Sequence, residues 1–70
     1  MNLGFRVGDK VATSRAIFAG LKEDGPKVCN KGETGYVVDV DERERDGVHV
    51  RFDSGVDWWC MPKQIMHVGQ

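Results

Sequence analysis

The stretch Val48-His49-Val50-Arg51-Phe52-Asp53-Ser54-Gly55-Val56-Asp57-Trp58-Trp59-Cys60 decides the fold class. Its first six residues alternate apolar and polar. Successive side chains of a strand point to opposite faces, so Val48, Val50 and Phe52 share one face and His49, Arg51 and Asp53 the other. Asp53-Ser54-Gly55 makes a tight turn, and residues 56–60 return as a second strand. In that strand Trp58 shares a phase with Val56 and Cys60, which sends it inward. Asp57, Trp59 and Met61 then face outward. Pro62 stops the strand because it has no N–H to give a ladder.

Upstream, Gly35-Tyr36-Val37-Val38-Asp39-Val40-Asp41 also alternates, with Tyr36, Val38 and Val40 on one face and Val37, Asp39 and Asp41 on the other. The connecting Glu42-Arg43-Glu44-Arg45-Asp46-Gly47 is charged at every residue up to its closing Asp-Gly, a hairpin-turn pair, where only the glycine is neutral. Residues 5–12 form a first strand, bent by Gly8-Asp9. Residues 13–33 are a long first loop. Its best helical candidate, residues 14–22, has a capping residue at Thr13 or Ser14 and a break at Gly20. Its apolar residues bunch together and do not recur at helical spacing, which limits it to a turn at most. Downstream, Pro62-Lys63-Gln64 suits a single 3₁₀ turn and residues 65–68 a short last strand. The expectation is an all-β chain: a five-stranded antiparallel barrel with strands near 5–12, 34–41, 48–53, 56–60 and 65–68, and a core that includes Val11, Val38, Val50, Phe52, Trp58 and Ile65.

At 70 residues the chain has room for one domain, residues 1–70. Ten basic and eleven acidic residues leave a formal charge of −1, with 40% apolar and 30% charged residues, a globular balance. No apolar run is long enough for a membrane-spanning helix. Multi-domain enzymes, coiled coils and polycationic tails are excluded on the same arithmetic. The opening Met1-Asn2-Leu3-Gly4-Phe5-Arg6 has no apolar core of a secretory signal, so the expected compartment is the reducing cytoplasm, with Cys29 and Cys60 unbridged. A domain this small buries only about 60% of its unfolded surface, which leaves little room for a deep enclosed pocket.

Four phrases carry a resemblance. Phe5-Arg6-Val7-Gly8-Asp9-Lys10-Val11 resembles the opening of SH3-like barrels. Lys31-Gly32-Glu33-Thr34-Gly35-Tyr36-Val37-Val38, a G-x-x-G-x-V phrase, resembles their second strand. Val50-Arg51-Phe52-Asp53-Ser54-Gly55 resembles the third strand and its turn, and residues 62–68 the closing 3₁₀ turn and strand. Such phrases are shared by mind-bomb/HERC-type repeats, Tudor- and KOW-like domains, and accessory barrels of photosystem I and of nitrogen fixation. The resemblance implies an SH3-like barrel. It implies no single function, because this architecture hosts many.

Candidate chemistry is sparse. Cys29, Cys60, His49 and His67 could make a zinc set by count, but no two lie within three residues, whereas small zinc sites bring their ligands in close pairs; no metal or other cofactor is expected. Cys29 lies between Lys27 and Lys31 but in a loop with no local histidine, which makes it an exposed bystander and not a nucleophile. Gly32-Glu33-Thr34-Gly35 has no following helix to aim N–H groups at a phosphate. Residues 1–31 hold six basic and three acidic residues, and residues 32–70 four basic and eight acidic. The first loop is thus mildly basic, without the basic stripe of a nucleic-acid binder, and a Tudor- or KOW-like nucleic-acid module is an alternative reading.

The aromatic pattern says more. Trp58 and Trp59 are adjacent, so one ring must point out of the core, and tryptophan is enriched at binding hot spots. By the resemblance, Tyr36 and Phe18 gather beside the first loop to complete a groove. The expected function is a non-catalytic binding or accessory module for a protein or peptide, with Trp59, Tyr36, Phe18, Asp57 and Met61 as its site and an exposed strand edge as a further contact. The other alternative is an enzyme with its site at the symmetry axis of an oligomer.

Overall fold

The computed structural model describes residues 4–20, 22–41 and 47–69. The charged turn expected at residues 42–46 lies outside the described residues. Within them the chain is all-β and antiparallel. The strands are β1 (Lys10–Thr13), β2 (Ile17–Phe18), β3 (Lys27–Cys29), β4 (Thr34–Val40), β5 (Val48–Phe52), β6 (Asp57–Cys60) and β7 (Ile65–His67), with a 3₁₀ turn at Pro62–Gln64. No described helix is long and apolar enough to cross a membrane.

The main sheet runs β6-β5-β4-β1-β7, and β2 and β3 pair as a separate hairpin. This corrects the expected strand count. The described residues hold seven strands in two sheets, and no ladder joins β6 to β7 to close a barrel. The expected first strand is also shorter. Residues 5–9 form turns, with Gly8 at φ 95° and its N–H bonded to the Val37 carbonyl, and pairing begins at Lys10.

The hairpin replaces most of the expected long loop. Ile17 opposes Cys29 and Phe18 opposes Lys27, with a bulge between them. Ile17 and Cys29 are both buried, so the hairpin plugs the core. Its base is tied by Thr13, a buried hydroxyl that donates to the Asn30 carbonyl at 2.7 Å and accepts from the Glu33 N–H at 3.0 Å. Cys29 is therefore a packed strand residue, and the exposed loop cysteine expected from the sequence is corrected. Burial pushes its thiol up to about 11 and that of Cys60 up to about 12, and the ionisation of Cys29 further opposes that of Cys60. Both are free thiols.

The core comprises Phe5, Val11, Ile17, Cys29, Val37, Val48, Val50, Phe52, Cys60 and Ile65, with Val28, Val40 and Trp58 packed against it. Val11, Val50, Phe52 and Ile65 lie where expected, and Trp58 is partly buried. Val38 does not: it is 36% exposed, whereas Val37 is 1% exposed. The reason is a bulge. Val37 opposes Val50 and Asp39 opposes His49, so Val38 is an extra residue with no partner. The inward phase is Gly35 and Val37 before the bulge and Val40 after it, which inverts the expected facing of Tyr36 and Val38 and preserves that of Val40. Gly35 is required by close approach: a Cβ there would meet the Arg51 carbonyl oxygen and lie 2.7 Å from the Phe52 Cα.

Candidate functional site

β6 runs along one edge of the main sheet, beside the β2–β3 hairpin. Its residues alternate as the sequence implies. Cys60 is buried and Trp58 half-buried, while Asp57 and Trp59 point outward, Trp59 at 48% exposure; Met61, just past the strand, is also exposed. The Trp59 ring stacks on His49 across the ladder, with centroids 4.8 Å apart and planes 26° from parallel. Gly47 lies under the ring: a Cβ there would come within 3.1 Å of Trp59 Cε3. Asp57 Oδ2 lies 3.3 Å from His49 Nε2 and 3.8 Å from an Arg51 nitrogen. These contacts hold the indole flat against the outer face of β5 while leaving half of it in water.

Beside the strand lies a groove of about 630 Å³, lined by Phe18, Gly20 and Glu23 of the hairpin, by Gly47, by Trp58 to Met61, and by Gln64. Four consecutive residues from Trp58 to Met61 take part. Consecutive strand side chains face opposite ways, so the groove follows the rim of β6 and not one face of the sheet. Its buried polar residue is Gln64. The Gln64 side-chain oxygen accepts the Met61 N–H at 2.8 Å, and its amide nitrogen donates to Glu23 at 3.2 Å. One side chain thus ties the 3₁₀ turn to the hairpin tip and sets the width of the groove between them. Glu23 reaches that position with φ 55°, in the left-handed region.

The structure brings together three of the five expected site residues, Phe18, Trp59 and Met61. Asp57 sits on the same strand but turns to His49 and Arg51. Tyr36 is exposed on β4, opposite Lys10 and Arg51, and does not line the groove. Sequence reasoning misses Gln64, Glu23 and His49. Gln64 stands three residues after Met61, which caps the 3₁₀ turn, and that capping-box spacing could draw attention to it. Nothing local marks Glu23. Alternation alone makes His49 a solvated strand residue, but its pairing with Trp59 half-buries it.

Among the described residues, no three His, Cys, Asp or Glu side chains come together to hold a metal ion. Comparison with protein-family models, with curated proteins and with solved structures finds no match to this chain.

Proposed function

We propose that this chain is a non-catalytic binding module, built as an SH3-like small barrel, that recognises a protein or peptide segment in the groove between β6 and the β2–β3 hairpin. The order of elements supports the barrel reading: the first strand of the main sheet pairs with the last, and a 3₁₀ turn leads into that last strand. The observation that carries the binding reading is the apolar groove in which Phe18, Trp59 and Met61 meet, with Trp59 half in water. A large indole held in place by stacking gives contact area at little entropic cost, which is what a hot spot needs.

The test is selection of a displayed peptide library on the immobilised protein, with Trp59→Ala as the counter-target. Peptides enriched on the parent and not on the variant support the reading. Equal enrichment on both, or none on either, overturns it. A mobility shift of mixed-sequence RNA or DNA at low salt that survives Trp59→Ala would favour the nucleic-acid alternative.

A further inference from the structure

Resting on that reading, we infer the binding mode: an extended, positively charged peptide adds as a new strand to the free edge of β6. The hydrogen-bond phase of the β5–β6 ladder leads there. The Phe52 N–H bonds to the Val56 carbonyl, and the register then places Val50 with Trp58 and Val48 with Cys60 as hydrogen-bonded pairs. The Asp53 N–H bonds to the Thr34 carbonyl, so the alternate residues of β5 serve β4, as this phase requires. Arg51–Asp57 and His49–Trp59 are therefore the non-bonded pairs, and on β6 their backbone groups face away from the sheet. β6 is an edge strand, and among the described residues nothing bonds to the outward amides and carbonyls of Asp57 and Trp59.

An edge of this kind is a template for another strand. The groove lies along it, so an incoming strand can pair its backbone with Asp57 and Trp59 and drop alternate side chains between Phe18, Trp59 and Met61. Charge selects the occupant. Glu23 lines the groove, Asp24 overhangs Gly20, Asp39 lies beside Trp59 on its other side, and Asp57 lies on the strand, its carboxylate shared with His49 and Arg51. A lysine- or arginine-bearing strand complements these carboxylates. A second copy does not: two-fold pairing of β6 edges sets each acidic rim against its own like.

The probe is a short peptide of alternating lysine and valine, compared with its glutamate–valine counterpart and with two N-methylated lysine–valine peptides blocked at alternate amides in opposite frames. Binding is read from tryptophan fluorescence and from amide shifts of Asp57 and Trp59. The lysine peptide should bind at least about tenfold tighter than the glutamate peptide, and one methylated frame should lose about tenfold while the other holds. Equal affinity of the two methylated peptides overturns strand addition, and equal affinity of the lysine and glutamate peptides overturns the charge selection. No binding by the lysine peptide overturns the inference outright, as does a dimer whose Asp57 and Trp59 amides are already protected. In each case the groove reading survives if library peptides still distinguish the parent from Trp59→Ala, and falls separately if they do not.

Discussion

Two aromatic–histidine–aspartate clusters stand at opposite edges of the main sheet. Beside β7, Phe5 stacks on His67 with centroids 4.4 Å apart, and His67 Nε2 lies 3.1 Å from Asp9 Oδ2. Beside β6, Trp59 stacks on His49, which lies 3.3 Å from Asp57. The side-chain kit is nearly the same and the outcome differs. Phe5 is only 5% exposed, because the chain before β1 folds back and delivers it to the core; Asp9 fastens that fold by accepting the Arg6 N–H at 2.9 Å. Trp59 is 48% exposed, and no described segment covers it. Residue types alone therefore do not mark a site. A stacked aromatic becomes available only where the chain leaves it uncovered, and here that happens on the rim that also carries the groove.

The largest effect that can break this comparison is on stability. Phe5→Ala should cost about 3–5 kcal/mol, the usual loss for a buried aromatic and comparable with the whole stability of a domain this small. Trp59→Ala should cost less than about 1 kcal/mol, the range of surface changes, and Trp58→Ala should cost more than Trp59→Ala because its ring packs on the core. Denaturant melts of the three variants decide this. If Trp59→Ala is the one that unfolds, the two edges are alike and the open-site reading of β6 is lost.

Binding should show the reverse order. Against a library-selected peptide, Trp59→Ala should lose at least about 2 kcal/mol, roughly thirtyfold in Kd. Phe5→Leu, chosen to keep the fold, should stay within about threefold, since it touches only the closed edge. Titration calorimetry on both variants sharpens the contrast, and equal losses would place the contact surface elsewhere.

How much of this is legible in the sequence depends on length and regularity. β5 and β6 are readable because Val48 to Phe52 alternates without a break and Pro62 ends the returning strand. The outward Trp59 comes from the same alternation. The facing of β4 is not readable: a bulge at Val38 adds one residue, and nothing in Val37-Val38 says which of two identical side chains is the extra one. The β2–β3 hairpin is hidden by its size, two and three residues with no period to detect, although Gly20 and Gly25-Pro26 bracket a turn. Without that hairpin, Cys29 looks exposed, and the groove wall at Gly20 and Glu23 cannot be foreseen. Resemblance alone puts Tyr36 in the groove, and the register sends it to the far side of Arg51.

The cysteines test whether the hairpin is closed onto the core as firmly as the β7 edge is. Folding raises both thiols above their ordinary 9.0, so the native state holds protons that the unfolded chain releases first. Their contribution to stability is complete below pH 9 and is lost as pH rises from there, through about 11 for Cys29 and about 12 for Cys60. Iodoacetamide at neutral pH should leave both thiols unmodified in native protein and alkylate both in denaturant, read by intact mass. Rapid native labelling of Cys29 alone would mean that the hairpin opens, and that the groove it borders has no fixed wall.

The smallest effect concerns the clasp that closes the β7 edge. Asp9 is held below its ordinary 3.8, first by the Arg6 backbone N–H and then by its hydrogen bond to His67, with burial opposing. A carboxylate depressed in the folded state adds stability that is fully present above its unfolded value. That stability is lost as pH falls through the folded value, when the native chain must also take up the proton. Asp9→Asn should therefore lower Tm slightly at neutral pH, and the gap between parent and variant should close once the pH drops well below 3.8. Asp57→Asn, at the open edge, should lower Tm less than Asp9→Asn does at neutral pH. Asp57 shares its carboxylate between two partly exposed side chains, where ion pairs are worth about 0–1 kcal/mol. Matched melts of the two variants at neutral pH, with Asp9→Asn followed into acid, separate a clasp from a rim. If Asp57→Asn lowers Tm at neutral pH as much as Asp9→Asn does, the open edge is as tightly fastened as the closed one, and the contrast between them rests on Phe5 and Trp59 alone.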